Sequence, residues 1–331
     1  MLKIKIDLRI EAVELKSDGE DDQSQIARVK ALETSENSRQ IVEKFSPEVS
    51  EVAESSCCML RKFSGKETKK RGSSLMAWLL VITAFVVIWI ASLCKNFHAS
   101  VSSSRSAFLN DGTQKRNILL VIAHPDDESM FFSPTMNFLT SRGHKLYILC
   151  MSIGNADGMG TMRREELYKA STVLKVPLNQ VKILDHPDLQ DGFGKVWDHK
   201  LLAEIIEHEI SSHGIDLIIT FDSYGVSGHC NHRDVHNGVR GFLHNKAPQS
   251  FEAWELVSTN ILRKYSGPFD IWLSSMFSKE HPSGMMHCLL NERPRQSFLA
   301  MAQHASQWVW FRKLFVTFSS YTYVNTLKRI N

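Results

Sequence analysis

The chain has 331 residues, of which 43% are hydrophobic, and a formal net charge of +3. This length allows one large domain or two small ones, and the composition is that of a protein that buries a core. The nearly balanced charge gives no basis for a nucleic-acid partner, which would require a concentrated basic surface.

Residues 1–73 are dominated by polar and charged side chains, with acidic runs such as Ser17–Asp22. Few of their apolar residues recur at the spacing of a helix or a strand, so we predict a largely disordered extension. The extension contains a basic cluster close to its end, made up of Lys66, Lys69, Lys70 and Arg71.

The next segment, residues 74–94, is mostly apolar and carries no charge. A run of about 18 or more such residues can cross the hydrocarbon core of a membrane as a helix. A buried core helix would keep a polar face, and the apolar part of a secretory signal would be shorter, so we predict a transmembrane helix. Trp78 and Trp89 lie toward its two ends, where aromatic residues anchor at the interface. Residues 95–116 include a serine-rich stretch and are interpreted as a linker.

From residue 117 to residue 325 the pattern alternates between apolar runs and helical stretches. The predicted strands are Ile118–Ala123, Lys145–Met151 and Asp216–Phe221, whose apolar character is typical of strands buried on both faces. Helices are predicted between them, over Thr161–Leu174 and Lys200–Ser211. Strands that alternate with helices form a parallel sheet with crossover connections. Functional sites in such sheets gather beyond the carboxyl ends of the strands.

The first predicted strand is followed at once by His124, Pro125, Asp126, Asp127 and Glu128. The loop presents an imidazole and three carboxylates together, and crowded carboxylates repel one another unless a cation or a proton compensates them. Zinc accepts both imidazole nitrogen and carboxylate oxygen, and a catalytic zinc keeps one position open for water. The alternative is a solvated acidic turn in which Asp126 or Asp127 caps the next helix. The run alone does not decide between the two.

The third predicted strand leads into a loop of small residues, Ser223–Gly228, and then to His229, His232 and His236. Their spacings of three and four place these histidines on one face if residues 229–236 are helical. The alternative is a polar loop in which the histidines are incidental. Two histidine-bearing loops at the ends of two parallel strands favour the first interpretation, because the fold brings both loops to one rim of the sheet.

A glycine-rich loop, Gly154–Gly160, follows the second predicted strand and leads to Arg163. Its glycines indicate a tight turn or a close approach of the backbone to a ligand. The loop does not match the GxGxxG fingerprint of a dinucleotide-binding site. Arg163 is a candidate for binding a phosphate group of the substrate. The alternative is an ion pair between Arg163 and Glu166 or Asp157 on a helix surface.

Together these motifs resemble the LmbE-like/PIG-L deacetylase family, over roughly residues 115–325. The motifs that carry the resemblance are AHPDDE at 123–128, the Gly158–Leu167 segment and HCNH at 229–232. Within the family, this chain resembles most the eukaryotic members that act on N-acetylglucosaminyl-phosphatidylinositol. That finer match rests on Thr220–His229, His304–Arg312 and Phe318–Tyr323.

With this resemblance, the predicted fold is α/β: a Rossmann-like, mostly parallel sheet with helices on both faces, preceded by one transmembrane helix. The resemblance also implies zinc, or another divalent metal, held by His124, Asp127 and His232. It implies that Asp126 is the general base and that His229 assists the developing oxyanion. The implied reaction is hydrolysis of the N-acetyl group of the glycolipid N-acetylglucosaminyl-phosphatidylinositol, an early step of GPI-anchor biosynthesis. Glu128 matches the motif and is a candidate hydrogen-bond partner of His124.

The orientation of the chain in the membrane depends on where the protein begins. The basic cluster would hold the N-terminus in the cytosol and place the catalytic domain on the other side. A product that starts at Met76 would lose that cluster and keep Lys95 and Arg105. The sequence after the apolar segment has no N-x-Ser/Thr site, and its three cysteines form no CxxC pair. Since the resemblance implies an enzyme of the endoplasmic reticulum that faces the cytosol, we predict a cytosolic catalytic domain.

The sequence is also compatible with two other functions. One is a zinc amidase that acts on another N-acetyl sugar, and the other is a non-catalytic membrane subunit that keeps the fold. A missing metal ligand would have favoured the subunit, but His124, Asp127 and His232 are all present.

Overall fold

The computed structural model describes most of the chain from residue 76 onward. The described residues are 76–92, 94, 108–109, 115–192, 194–248, 251–280 and 285–330. The predicted extension of residues 1–73 lies outside them, as does most of the predicted linker. The architecture below is that of the compact unit that begins at Leu80.

Among the described residues, seven strands form one sheet in the order β3-β2-β1-β4-β5-β7-β6. The first five strands of that order are parallel, and β7 runs antiparallel to both of its neighbours. The strands are β1 (Asn117–Ile122), β2 (Lys145–Cys150), β3 (Val181–Ile183), β4 (Leu217–Phe221), β5 (Glu252–Leu256), β6 (Met286–Leu290) and β7 (Val324–Arg329).

The central strands form where the sequence predicts them. β1, β2 and β4 coincide with the three apolar runs to within one residue at each end. All five residues of β4 are buried, as are the last five residues of β1. Because successive side chains of a strand point to opposite faces, both faces of the sheet are covered. The prediction of a mostly parallel α/β sheet is confirmed.

The helices connect the strands and cover the sheet. Two of them confirm the helices predicted over Thr161–Leu174 and Lys200–Ser211. We number those of this unit α2 (Asp127–Met130), α3 (Ser133–Ser141), α4 (Gly160–Val173), α5 (His199–His213), α6 (Gly225–Gly228), α7 (Cys230–Asn245), α8 (Ile261–Lys264), α9 (Asp270–Glu280), α10 (Pro294–Met301) and α11 (Trp310–Phe318).

The antiparallel part of the sheet has no counterpart among the predicted elements. In the pairing of β6 with β7, His287 lies opposite Leu327 and Cys288 lies opposite Thr326. β7 continues to Arg329, past the boundary at residue 325 that the sequence suggests. This antiparallel pair extends the sheet beyond β5 and places the C-terminal strand β7 between β5 and β6.

The strand order creates the crevice in which the site lies. β1 and β4 are neighbours in the sheet, although β2 and β3 lie between them in the sequence. The connections leaving β1 and β4 therefore diverge, and a crevice opens beyond the carboxyl ends of these two strands. The loops that carry His124 and His229 both begin there.

Residues 76–92 lie in the segment 74–94 that we predicted to cross a membrane, and they form a helix, α1. In the part of the chain that the structure describes, no helix is both long enough and apolar enough to span a bilayer.

Candidate metal centre

The loop after β1 folds back on itself through Asp127. Its Oδ2 accepts hydrogen bonds from the backbone N–H groups of Ala123, at 3.1 Å, and His124, at 2.8 Å. Asp126, which precedes helix α2, makes no side-chain cap of that helix. The acidic residues therefore do not form the helix cap that was the alternative interpretation of this run. Instead the loop places His124 and Asp127 side by side at the end of the sheet.

Asp126 is held in an unusual backbone conformation. Its φ is 122°, a region that residues with side chains rarely adopt, and its side chain is buried. Strain of this kind costs on the order of 1–3 kcal/mol and persists where surrounding contacts fix it. Two arginines supply such contacts to Oδ2: Arg312, in a direct ion pair, and Arg163, at 3.5 Å. The carboxylate is thereby fixed at the wall of the crevice.

The loop after β4 brings a second set of side chains to the same place. His229 lies at the N-cap position of α7, and His232 lies in the first turn of that helix. Gly225 has a φ of +68°, and a Cβ added there would lie 2.7 Å from the Cβ of His232. Only glycine combines that backbone conformation with so close an approach. The loop can therefore pack directly against the His232 side chain.

His236 has a different environment from the other two histidines of the motif. Its Nδ1 lies 2.9 Å from the backbone oxygen of Phe221, at the end of β4, and 3.6 Å from Glu255. His236 is not among the residues that line the crevice. The spacing of three and four therefore identified two residues of the site and one that supports the strand beneath it.

The donor atoms of the site converge. His232 Nε2 lies 3.1 Å from Asp127 Oδ1, and His124 Nδ1 lies 3.8 Å from Asp127 Oδ2. His124, His229 and His232 each offer a ring nitrogen, and these three atoms all lie within 4.8 Å of one another. Donors that share a tetrahedral zinc lie roughly 3.3 Å apart, given metal–ligand bonds of about 2.0–2.1 Å. The spacing of these side chains therefore suits one metal ion.

The second ring nitrogens of His124 and His232 have hydrogen-bond acceptors. His232 Nδ1 donates to the backbone oxygen of Gly225 at 3.1 Å, because a carbonyl oxygen can only accept. His124 Nε2 lies 3.1 Å from the Asp191 carboxylate and 3.2 Å from Asn231 Oδ1. The Asn231 amide donates to the oxygen of Lys195, which fixes the direction of its own oxygen. Metal-binding histidines usually donate their other N–H to such acceptors. The donor set thus fits a divalent metal in both residue type and ring orientation.

The ionisable groups at the centre of the crevice differ in the direction of their pKa shifts. Burial raises the pKa of the Asp127 carboxyl, but the neighbouring His232 and His124 more than reverse this, so its pKa is lowered and it is ionised. Burial lowers the pKa of His124, but its hydrogen bond to Asp191 and the nearby carboxylates raise it overall. Burial together with the adjacent His124 and His232 lowers the pKa of His229 to about 4. His229 is therefore neutral near pH 7.

Arg163 is buried and bound to the protein. Its guanidinium donates to the backbone oxygens of Gly154 and Pro125, each at 2.9 Å, and lies 3.3 Å from Asp191. The alternative ion pairs with Glu166 or Asp157 do not form. Glu166 accepts instead from the backbone N–H and the hydroxyl of Ser306, at 2.7 and 2.6 Å. These contacts give Arg163 the role of joining Asp126 and Asp191 across the site.

Glu128 is not a partner of His124. It is fully buried, and its Oε1 lies 2.6 Å from Nε2 of His304. Its Oε2 accepts a hydrogen bond from the backbone N–H of Asp126 at 3.1 Å. Glu128 thus links the segment after α10 to the loop that carries the predicted base. The predicted contact with His124 was wrong because the Glu128 side chain points away from the crevice, toward the C-terminal segment.

The crevice holds a cavity of about 340 Å³. Three of its lining residues, Asp191, Gln307 and Arg312, were assigned no function from the sequence, although Gln307 and Arg312 lie in a stretch that carries the family resemblance. Asp191 follows the three-residue strand β3, which the sequence pattern did not reveal. Had that strand been recognised, the rule that sites lie beyond strand ends would have directed attention to this loop. The remaining lining residues include all six predicted ones: His124, Asp126, Asp127, Arg163, His229 and His232.

The chain is similar to known proteins over the region that contains these residues. The PIG-L family model, described as GlcNAc-PI de-N-acetylase, matches residues 119–243. A Bos taurus protein named N-acetylglucosaminyl-phosphatidylinositol de-N-acetylase is 34% identical over 250 residues, which cover 75% of this chain and 96% of that protein. A Schizosaccharomyces pombe protein of the same name, qualified as probable, is 36% identical over 216 residues, which cover 64% and 86%.

A solved structure supports the fold. The N,N'-diacetylchitobiose deacetylase from Pyrococcus horikoshii aligns with a TM-score of 0.50 at 12% identity, covering 70% of this chain and 92% of that one. The relatives define the chain as a deacetylase. More narrowly, the chain belongs to the PIG-L family.

Proposed function

We propose that this chain hydrolyses the N-acetyl group of N-acetylglucosaminyl-phosphatidylinositol in a metal-dependent reaction. The products would be glucosaminyl-phosphatidylinositol and acetate, which makes this an early step of GPI-anchor biosynthesis. The observation that carries the proposal is the close approach of His124 and His232 to Asp127, beside the Asp126 carboxylate. The names of the relatives supply the substrate.

We assign the metal to His124, Asp127 and His232, and zinc is the ion that this donor set favours. Another divalent metal such as iron is compatible with the same ligand types. His229 is the neighbouring imidazole, and its neutral state would also allow it to bind a metal. We keep it out of the ligand set because three protein ligands leave a position for water. Zinc bound there would supply Lewis-acid activation of the attacking water and of the acetyl carbonyl.

Asp126 is proposed to move the proton. Its carboxylate would accept a proton from the water whose oxygen attacks the acetyl carbonyl carbon. When the carbon–nitrogen bond breaks, the same carboxyl would return that proton to the leaving amine, so that acetate and the free amino sugar result. His229 faces the same cavity and would donate an N–H hydrogen bond to the oxygen on which negative charge develops.

Two arginines are proposed to position Asp126. Arg163 and Arg312 both lie at its Oδ2, so the carboxylate is oriented without help from the substrate. Arg163 is engaged by Gly154, Pro125 and Asp191 as well. We therefore propose that Arg163 holds the general base in place, in preference to the phosphate-binding role considered from the sequence.

We further propose that the chain works at the endoplasmic reticulum membrane, attached through its apolar segment 74–94, with the catalytic domain facing the cytosol. The exposed apolar side chains of α1 support membrane attachment. Protease digestion of sealed microsomes tests the orientation: cleavage of the catalytic domain without detergent is expected, and its protection would contradict the proposal.

The proposed function is tested by assaying the full chain in detergent with N-acetylglucosaminyl-phosphatidylinositol and, separately, with N,N'-diacetylchitobiose. Acetate release from the glycolipid, lost on treatment with a chelator and restored by zinc, is expected. Preference for the free disaccharide would instead favour an amidase for another N-acetyl sugar. Bound zinc with no release from either substrate would favour the non-catalytic subunit.

A further inference from the structure

Helix α11 exposes an apolar face to solvent. Four of its residues are large, apolar and exposed: Trp310 at 72%, Phe311 at 53%, Leu314 at 49% and Phe318 at 40%. At about 100° per residue, these positions fall within one arc of about 100° on the helix. The opposite side is turned to the protein, where Val316 is buried.

Helix α11 also reaches the catalytic site. Arg312 projects from its inner side to the Asp126 carboxylate, and it lines the crevice. The ring of Phe315, from the same helix, packs edge-on against Phe131 at 5.7 Å, and Phe131 is part of the crevice wall. The apolar face therefore belongs to an element that forms the rim of the site.

Helix α8 adds two exposed apolar residues beside α11. Ile261 is 72% exposed and Leu262 is 83% exposed. Tyr265, directly after α8, lies with its ring centre 6.1 Å from that of Phe315. Ser227 lines both the metal-site cavity and the adjoining cavity that Ile261 borders. Apolar residues thus flank the mouth of the site on two sides.

This surface is continuous with helix α1. The ring centre of Trp89 lies 5.5 Å from that of Phe318, and Trp89 packs directly on Gly267. A Cβ at Gly267 would lie 2.3 Å from the Trp89 ring, so the contact depends on glycine at this position. The remaining apolar side chains of α1 between Leu80 and Ile90 are largely exposed. An apolar surface of this extent is unusual for a protein surrounded only by water.

We propose that the α8/α11 surface, consisting of Trp310, Phe311, Leu314, Phe318, Ile261 and Leu262, docks on the bilayer surface that presents the substrate. Tryptophan and phenylalanine favour the membrane interface, where an apolar helix face can lie in the plane of the headgroups. Residues 308–318 contain no acidic side chain, and the exposed Lys313 would attract anionic lipids. The inference rests on the proposed lipid-linked substrate: its sugar would enter the crevice while its acyl chains stay in the bilayer.

The test compares two triple variants of the full chain in vesicles of phosphatidylcholine and phosphatidylserine. The docking variant is Trp310→Ser, Phe311→Ser, Leu314→Ser. The matched control is Met162→Ser, Leu178→Ser, Val196→Ser, three exposed apolar residues that lie outside the α8/α11 surface. Each is assayed on glycolipid in vesicles and on its water-soluble headgroup, N-acetylglucosaminyl-inositol phosphate.

The docking variant is expected to lose at least about tenfold in kcat/KM on the vesicle substrate, mainly through KM, with no change on the soluble headgroup. The control variant is expected to match the wild type on both. Equal losses on both substrates would show a merely structural role for these residues and would overturn the proposal, as would no loss on either.

A second measurement does not depend on turnover. The emission of Trp310, taken as the difference between wild type and Trp310→Phe, should be quenched in vesicles of brominated phosphatidylcholine. The corresponding difference for the buried Trp254 should not be quenched. Quenching of Trp310 without turnover of any substrate would support docking and overturn the proposed function. An unquenched Trp310 whose emission shifts with protein concentration would indicate a contact between copies and would overturn docking.

Discussion

His304 and Glu128 form a fully buried ion pair, with Nε2 and Oε1 2.6 Å apart. Burial lowers the pKa of His304, but the adjacent Glu128 carboxylate more than reverses this and raises it overall. Since the other oxygen of Glu128 accepts from the backbone N–H of Asp126, the pair connects the C-terminal segment to the strained turn that carries the base. The turn depends on residues that are far away in the sequence.

Removing one member of this pair should destabilise the fold. Glu128→Ala would leave His304 buried without its partner, and breaking a buried ion pair costs about 3–5 kcal/mol. The free energy of unfolding, measured with denaturant, is expected to fall by that amount. Glu207→Gln, which removes an exposed ion pair with Lys246, is the control and should leave it unchanged. Equal stability of Glu128→Ala and wild type would show that the pair does not support the turn.

The contact between Gly225 and His232 should govern metal binding. Gly225→Ala would introduce a Cβ that meets the Cβ of His232, in addition to the strain of a positive φ. Gly158→Ala is a matched control, since Gly158 has a φ of +71° but no atom lies within 4 Å of an added Cβ. Both variants should lose roughly 1 kcal/mol of stability through the backbone. Only Gly225→Ala should lose zinc affinity in a competition with a chelator; equal affinities would contradict the packing argument.

The pKa of His229, lowered to about 4, predicts how the metal-free protein responds to acid. Between about pH 6.5 and pH 4 the unfolded chain holds more protons on this residue than the folded chain does. The stability contribution of the neutral ring is therefore present above pH 6.5 and declines as the pH falls toward 4. In this window His229→Gln should show a shallower loss of stability than the wild type, measured by denaturant unfolding. Parallel slopes would mean that His229 titrates normally.

The position of Arg163 predicts an effect on turnover and not on substrate binding. Arg163→Lys would lose the forked contacts to Asp126 and Asp191, because a lysine offers one point charge. Misplacement of a catalytic group by about 1 Å can cost about 10²-fold, so kcat should fall by that order while KM stays the same. Arg164→Lys, a partly exposed neighbour, is the control. A rise in KM with kcat unchanged would instead support the phosphate-binding role.

The central part of the fold follows from local patterns, and the rest does not. The apolar runs of β1, β2 and β4 can be recognised in the sequence because both faces of each strand are covered. β3 has only three residues, too few for a periodic pattern, and β6 and β7 pair along an edge where half-buried residues alternate less clearly. Length and burial of a strand therefore decide how far its sequence reveals it.

The residues of the site also differ in how far the sequence reveals them. His124, Asp126, Asp127, His229 and His232 are found from sequence because each directly follows a recognisable strand or its loop. Their supports come from far along the chain, and nothing local indicates which support meets which residue. Arg312 reaches Asp126 across 186 positions and His304 reaches Glu128 across 176 positions. Glu128 is an example. The sequence suggested the nearby His124 as its hydrogen-bond partner, but in the fold its partner is His304.

The most direct test of the account measures zinc content and deacetylation together in three forms of the full chain: wild type, Asp126→Asn and Asp127→Ala. Asp126→Asn should keep one zinc per chain and lose about 10²–10⁴-fold in kcat on N-acetylglucosaminyl-phosphatidylinositol. Asp127→Ala should lose both zinc and activity, whereas His244→Ala, an exposed histidine near the end of α7, should keep both. Full activity in Asp126→Asn, or stoichiometric zinc in Asp127→Ala, would contradict the division of roles proposed for this site.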